Sequence, residues 1–330
     1  MTSKPSPVRK RILSGVQPSG KLHLGNYFGA VRQHVALTAE DAECFYFIAD
    51  YHALTTVHDP AALRQNVIDV ALDYFALGLD PDKAVFFRQS DLPQVCELAW
   101  ILSTLAPMGL LERAVSYKEK VDRGLESSVG LFTYPVLMAA DILICRSNLV
   151  PVGRDQVQHL EMCRDIAVKF NLRYGEVFPL PEYRLTKESK VPGTDGQKMS
   201  KSYGNTIDIF AEGKALKKAV MGIVTDSTPL EAPKDPATCH VFALHSLFAS
   251  AEEQEALASR YRAGGMGYGA AKSELLGKID EHFAAARQRR RELAADPERV
   301  ERWLVQGAEK ARAAAEETMR LVRSAVGLRP

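Results

Sequence analysis

Ile12-Leu13-Ser14-Gly15-Val16-Gln17-Pro18-Ser19-Gly20-Lys21-Leu22-His23-Leu24-Gly25-Asn26 is the stretch that decides the fold of this chain. Residues 12–16 form a short apolar run with polar or turn residues on either side, the pattern of a buried strand. A tight turn follows at Gln17–Gly20, and a helix is expected from about Tyr27. Such a junction gathers free backbone N–H groups and the positive end of a helix dipole at one point, which favours an anion. Gly25 has no side chain to keep an adenine ring off the backbone, and His23 and Asn26 add polar groups suited to phosphate or ribose. Taken alone, the segment reads equally well as an ordinary strand-to-helix turn with capping residues.

Outward from this segment the pattern alternates. Residues 44–49 and 84–88 read as further buried strands, with a helix over 61–77 between them that Pro60 introduces. A helix is expected over 135–145, a short apolar run over 149–152, and a long helix over 155–170. This alternation predicts an α/β fold, a Rossmann-like parallel sheet with helices on both faces, whose ligands sit beyond the carboxyl ends of the strands. Residues 186–206 are rich in Lys, Ser and Gly and read as a long mobile loop of the functional kind. Beyond a second polar joint at 225–238 the strand signals fade, and helices are expected over 240–250, 251–263, 271–296 (bent near its middle) and 297–326. The resulting division is a sheet-bearing domain over 1–206, a smaller all-helical domain over 207–297, and a C-terminal helix over 298–330 that packs back toward the first domain.

Composition narrows the class. The chain has 330 residues, 46% hydrophobic and 25% charged, with a net charge of +1. These are values of an ordinary globular protein, and any nucleic-acid binding must come from local basic patches. The five cysteines (Cys44, Cys96, Cys145, Cys163, Cys239) show no CxxC spacing, and no histidines complete a zinc pattern. Buried free thiols in a reducing compartment are expected, with no protein-ligated metal and no iron–sulfur cluster. No signal peptide or membrane span is read, so a cytoplasmic location is expected.

A second motif, Lys198-Met199-Ser200-Lys201-Ser202, lies in the long loop. Its two lysines and neighbouring hydroxyls suit a triphosphate whose leaving group gains negative charge, although alone the pentapeptide reads more readily as a solvated loop. Together, HxGN after the first strand and KMSKS in the later loop resemble the two signatures of class I aminoacyl-tRNA synthetases. Asn26 stands where the first signature has a second histidine. Gly25-Asn26-Tyr27, Tyr134-Pro135-Val136-Leu137-Met138-Ala139-Ala140-Asp141 and Val150-Pro151-Val152-Gly153-Arg154-Asp155-Gln156 resemble the bacterial tryptophanyl branch in particular.

The resemblance implies ATP with Mg²⁺, L-tryptophan and tRNA(Trp) as substrates, and a homodimer. For ATP it implies Gln17, Ser19, His23, Gly25, Asn26, Lys118 or Lys120, Gly153, Asp155, Lys198, Met199, Ser200 and Lys201. His23, Asn26, Lys198 and Lys201 are the catalytic set. For tryptophan it implies Leu13, Gly15, Gln17, Met138, Asp141, Val150, Val152 and Gln156, with Gln156 on the amino group. The family places an aromatic residue at the position of Leu13, so stacking there is expected to be weaker.

Asp141 shares a helix face with Leu137 and Met138, and a carboxylate in an apolar pocket needs a donor, which an indole N–H would supply. Tyrosine could donate as well, so a tyrosine-specific enzyme stays open, as does Asp141 as an internally paired structural acid. A nucleotidylyltransferase and a non-catalytic paralogue stay open too. The basic run Arg287-Gln288-Arg289-Arg290-Arg291 offers Arg287, Arg289, Arg290 and Arg291 to tRNA phosphate, or equally to nearby acids such as Glu292.

Overall fold

A computed structural model describes residues 10–114, 117–118, 128–185 and 191–330. Its centre is a five-stranded, all-parallel sheet in the order β3-β2-β1-β4-β5. The strands are β1 (Arg11–Val16), β2 (Glu43–Ile48), β3 (Ala84–Arg88), β4 (Leu149–Val152) and β5 (Glu182–Leu185). Alternate side chains supply two cores, because successive residues of a strand point to opposite faces. Ile12, Tyr46, Ile48 and Phe86 enter one, and Leu13, Phe45, Phe47 and Phe87 the other.

Helix α1 (Pro60–Ala76) covers the first face; Asp59 caps it by accepting from the Ala61 N–H, with Pro60 in the first turn. On the second face lie α2 (Gln94–Ser103), α3 (Val129–Ile144) and α4 (Val157–Tyr174). Helix α3 starts six residues before the expected 135. Its cap is Ser128, which accepts from the Leu131 N–H, and Pro135 lies inside the helix. A single turn of 3₁₀ helix, Arg154–Gln156, precedes α4. Strand β5 has no counterpart among the expected strands: Glu182-Tyr183-Arg184-Leu185 alternates polar and apolar for only four residues, and all four are exposed.

Past the sheet the chain is helical, with Gly213–Met221, His240–His245, Ala251–Ala263, α5 (Tyr268–Ala294) and α6 (Pro297–Val326). Helix α5 is continuous where the sequence predicts a bend. The arginine run at its end is paired inside the chain, the alternative that the sequence left open beside phosphate contact. Arg290 bonds Asp73 and Asp69 of α1 at 2.6 and 2.7 Å, and Arg289 donates to the Ala76 carbonyl that ends α1. Arg287 is buried against the Ile209 carbonyl and Asp280, while Arg291 pairs with Glu212. These four cations therefore bind α5 to its surroundings. Of the five thiols, four are buried as expected and Cys96 is exposed. Among the described residues no helix is long and apolar enough to cross a membrane.

Helix α6 returns to the sheet and straddles its β3 edge. Val300 and Leu304 belong to the first core, and Ala308, Ala311, Ala315, Met319 and Val322 to the second. The crossing is at Gly307, where an added Cβ would lie 2.0 Å from the Phe86 carbonyl oxygen. On an open helix, Gly→Ala stabilises by about 1 kcal/mol. Here Gly307→Ala should reverse that sign and destabilise by about 1–3 kcal/mol through overpacking, read as a lower urea midpoint with an unchanged slope.

Candidate active site

Strand order reverses direction at β1, whose neighbours β2 and β4 lie on opposite sides in the sheet but follow different chain connections. A crevice opens at the carboxyl ends of strands at such a point, and a cavity of about 480 Å³ lies there. Leu13, Gly15, Gln17 and Ser19 line it from β1 and its turn, and Asn26 from the helix that follows. Tyr134, Met138 and Asp141 come from α3, Val150 and Val152 from β4, then Gly153 and Gln156, with Lys201 at the rim. Gly15 is small for a local reason: a Cβ there would meet the Phe47 ring at 2.6 Å.

The two sequence motifs meet in space. Leu24 N–H donates to Ile207 O at 3.0 Å and Ile209 N–H to Leu22 O at 3.2 Å, so the stretch after KMSKS zips onto the HxGN segment. Lys201 Nζ donates to the Ser19 carbonyl at 3.1 Å and lies 3.4 Å from its hydroxyl. The described part of the loop, 191–206, is tied down rather than free-hanging. Met199 is buried in the first core, and Asn205 accepts from the Ser200 N–H while donating to Asp195 and to the Lys198 carbonyl.

His23 is buried with its ring against Gly25: a Cβ on Gly25 would lie 2.9 Å from that ring. The glycine thus makes room for the His23 ring. Burial and then the Lys201 charge push the His23 pKa down to about 4, so the imidazole is neutral at physiological pH. Its Nδ1 is buried with no hydrogen-bond partner. Asn26 Oδ1 accepts from the His23 N–H and closes the first turn of the helix. The chain then makes a π-helical turn, Tyr27–Val31, before continuing as an α-helix.

At the floor, Asp141 is 3% exposed and already partnered. His52 Nε2 donates to its Oδ2 at 2.9 Å, and Gln89 Nε2 lies 2.8 and 3.0 Å from its two oxygens. The internal pairing left open for this acid is present: the protein supplies two donors. Burial raises the Asp141 pKa from the usual carboxylate range, and the bonds from His52 and Gln89 oppose that rise. Tyr134, whose hydroxyl bonds His159, meets the edge of the His52 ring.

Some expected residues stay outside the cavity. Lys198 is exposed and Ser200 pairs with Ser202, and neither lines it, nor do His23, Gly25 and Met199. Lys118 is exposed. Lys120 and the Asp155 side chain lie outside the described residues. His52 and Gln89 escaped the sequence reading. Their signal was positional: each lies just beyond the carboxyl end of a strand, β2 and β3 respectively.

A family model described as tRNA synthetases class I (W and Y) matches residues 7–284. A tryptophan–tRNA ligase of Rhodopirellula baltica is 55% identical over 97% of this chain and 100% of its own length. One from Fusobacterium nucleatum is 53% identical over 97% and 98%. The crystal structure of the Campylobacter jejuni tryptophanyl-tRNA synthetase, complexed with ADP and tryptophan, superposes with a TM-score of 0.91. It is 51% identical and covers 96% of this chain and 100% of that one. The chain belongs to the class I tRNA synthetases of the tryptophan and tyrosine group.

Proposed function

We infer that the protein is a tryptophan–tRNA ligase: it activates L-tryptophan with ATP and transfers it to the 3′ end of tRNA(Trp). The observation that carries this is full-length identity above half to tryptophan–tRNA ligases, in a chain whose cavity runs from a buried carboxylate to a lysine of the KMSKS segment. In the first step the tryptophan carboxylate attacks the α-phosphorus of Mg²⁺-ATP and pyrophosphate leaves. In the second a hydroxyl of the terminal tRNA ribose attacks the adenylate and releases AMP. Neither step needs a protein nucleophile, so catalysis rests on positioning and charge stabilisation.

The geometry supports the following assignment. Tryptophan lies between β4 and α3 with its indole among Met138, Val150 and Val152 and its N–H on Asp141. A carboxylate has about four acceptor sites, so Asp141 keeps capacity beyond the bonds from His52 and Gln89. Gln156 and Gln17 take the amino acid's polar end. The nucleotide lies along the Gln17–Ser19 turn and Asn26, where neutral His23 offers hydrogen bonds without adding charge. Lys201, held at the Ser19 turn, is placed to neutralise the departing pyrophosphate, and Lys198 joins it only if the segment moves inward.

Residues 1–206 act in this reading as the catalytic unit, 207–297 as the helical unit that meets the anticodon, and 298–330 as a brace on the sheet. The setting is the cytoplasm, where tRNA is charged. A homodimer is part of the reading: helices α2 and α3 and the turn at Met108–Leu111 leave Trp100, Met108 and Val129 exposed at 73%, 63% and 78%, large apolar side chains for a partner to cover.

Three measurements test these assignments. Lys201→Ala should slow tryptophan-dependent pyrophosphate exchange by roughly 100- to 1,000-fold, the loss expected for one charge-stabilising donor; full-speed exchange removes its role. Asp141→Ala should raise the tryptophan KM far more than the ATP KM, and equal losses would mark a folding role instead. Trp100→Glu should shift the sedimentation coefficient from dimer to monomer, and an unchanged dimer places the interface elsewhere.

A further inference from the structure

Behind the cavity floor, and not lining it, Gln89 is fully buried at the carboxyl end of β3. Its Oε1 accepts the backbone N–H of Tyr51 at 3.1 Å and that of His52 at 3.4 Å. Those two donors leave the amide one orientation, because the reversed one would set an NH₂ against two N–H groups and an oxygen against a carboxylate. With Oε1 fixed, Nε2 faces both oxygens of Asp141. One side chain thereby links the turn after β2, the end of β3 and the last turn of α3.

We propose that Gln89 is a positioning residue for tryptophan selection, one that holds the Asp141 carboxylate in the rotation and charge state in which it accepts the indole N–H. This rests on the tryptophan pocket inferred above. The chemical need is clear: a protonated Asp141 turns one of its oxygens into a donor, which opposes another donor such as an indole N–H.

The surroundings make that need acute. Burial pushes Asp141 toward its neutral form, and the nearby Asp50 charge pushes the same way. The other titratable groups facing it are His52 from the same turn as Asp50, Cys96 from α2, Cys145 at the end of α3 and Cys163 from α4. Burial raises all three thiols, Cys145 to about 12, so they stay uncharged and give the carboxylate no support. Only His52 and Gln89 counter the desolvation through hydrogen bonds, and Gln89 is the partner whose donor does not itself titrate.

The test compares two substitutions in the full-length enzyme by tryptophan-dependent pyrophosphate exchange across pH, with ATP affinity measured separately. Gln89→Met removes the donor. Its tryptophan KM should rise roughly 10- to 100-fold at neutral pH, the scale of one hydrogen bond to a charged group, and should recover as pH increases and Asp141 ionises. Gln89→Glu keeps an acceptor for the Tyr51 and His52 N–H groups but sets a second carboxylate against Asp141. The pair then shares a proton at low pH and repels at high pH, so its tryptophan use should fall as pH rises.

Opposite pH trends with unchanged ATP affinity are the expected result. Wild-type tryptophan KM in both variants, or the same pH profile in all three proteins, overturns the proposal. If Gln89→Met alone loses ATP affinity, it has misfolded and Gln89→Glu carries the test. Asp141→Ala measured alongside separates the two levels. Equal loss of tryptophan and ATP there removes the pocket assignment and this proposal with it, whereas selective loss of tryptophan with unaffected Gln89 variants removes only the role of Gln89.

Discussion

A carboxylate taken out of water must find donors, and the active end of this molecule is organised by that constraint at Asp141. Leaving such a group unpaired costs several kcal/mol, more than any one turn of helix contributes. The donors come from two other places in the chain, His52 after β2 and Gln89 after β3. Their convergence sets the distance between α3 and the carboxyl ends of two strands, and so the depth of the cavity. Asp141 is thus a structural node, and the recognition role proposed for it is compatible with its internal pairing because a carboxylate accepts more bonds than the protein provides.

At the opposite end of the cavity the constraint is made of backbone rather than charge. The hydrogen bonds between 22–24 and 207–209 bring a segment from far along the sequence onto the turn after β1. Asn205 then shapes the preceding loop so that Met199 points into the core and Lys201 toward the Ser19 turn. Between these two ends the site has apolar walls, with one acid at the floor, a lysine at the rim and a neutral imidazole buried behind the HxGN turn. The low pKa of His23 follows from the arrangement, since burial and the nearby Lys201 both disfavour a second cation.

What could be read from the sequence follows the reach of each physical signal. Strands β1 to β4 are short, largely apolar runs, and such runs announce themselves; the pattern places β3 and β4 to the residue. Strand β5 is exposed along its length, and its polar–apolar alternation is too short, at four residues, to mark it. Pro135 misleads the start of α3 because a proline more often opens a helix than sits within one. In the site, residues next to motifs on the same local element were legible, among them Gln17, Asn26, Asp141, Val150 and Lys201. The partnership of Asp141 was not, since its donors are distant in sequence and neither belongs to a motif. The arginine run shows the same limit from the other side. Its density suggested an open basic patch, but Asp69, Asp73 and the end of α1 lie opposite it only after folding.

The crossing of α6 over β3 bears on how the molecule is made. Gly307 rests on the Phe86 carbonyl, yet the ribosome delivers the strand long before the helix that covers it. During that interval the outer edge of β3 has no cover from its own chain, and an uncovered edge is where a sheet pairs with strangers. Its residues are Ala84-Val85-Phe86-Phe87-Arg88, a run with four apolar members. The nascent chain therefore passes through a period of exposure that the finished protein does not share, and a defect confined to α6 would show first as poor yield from synthesis, ahead of any change in the active site.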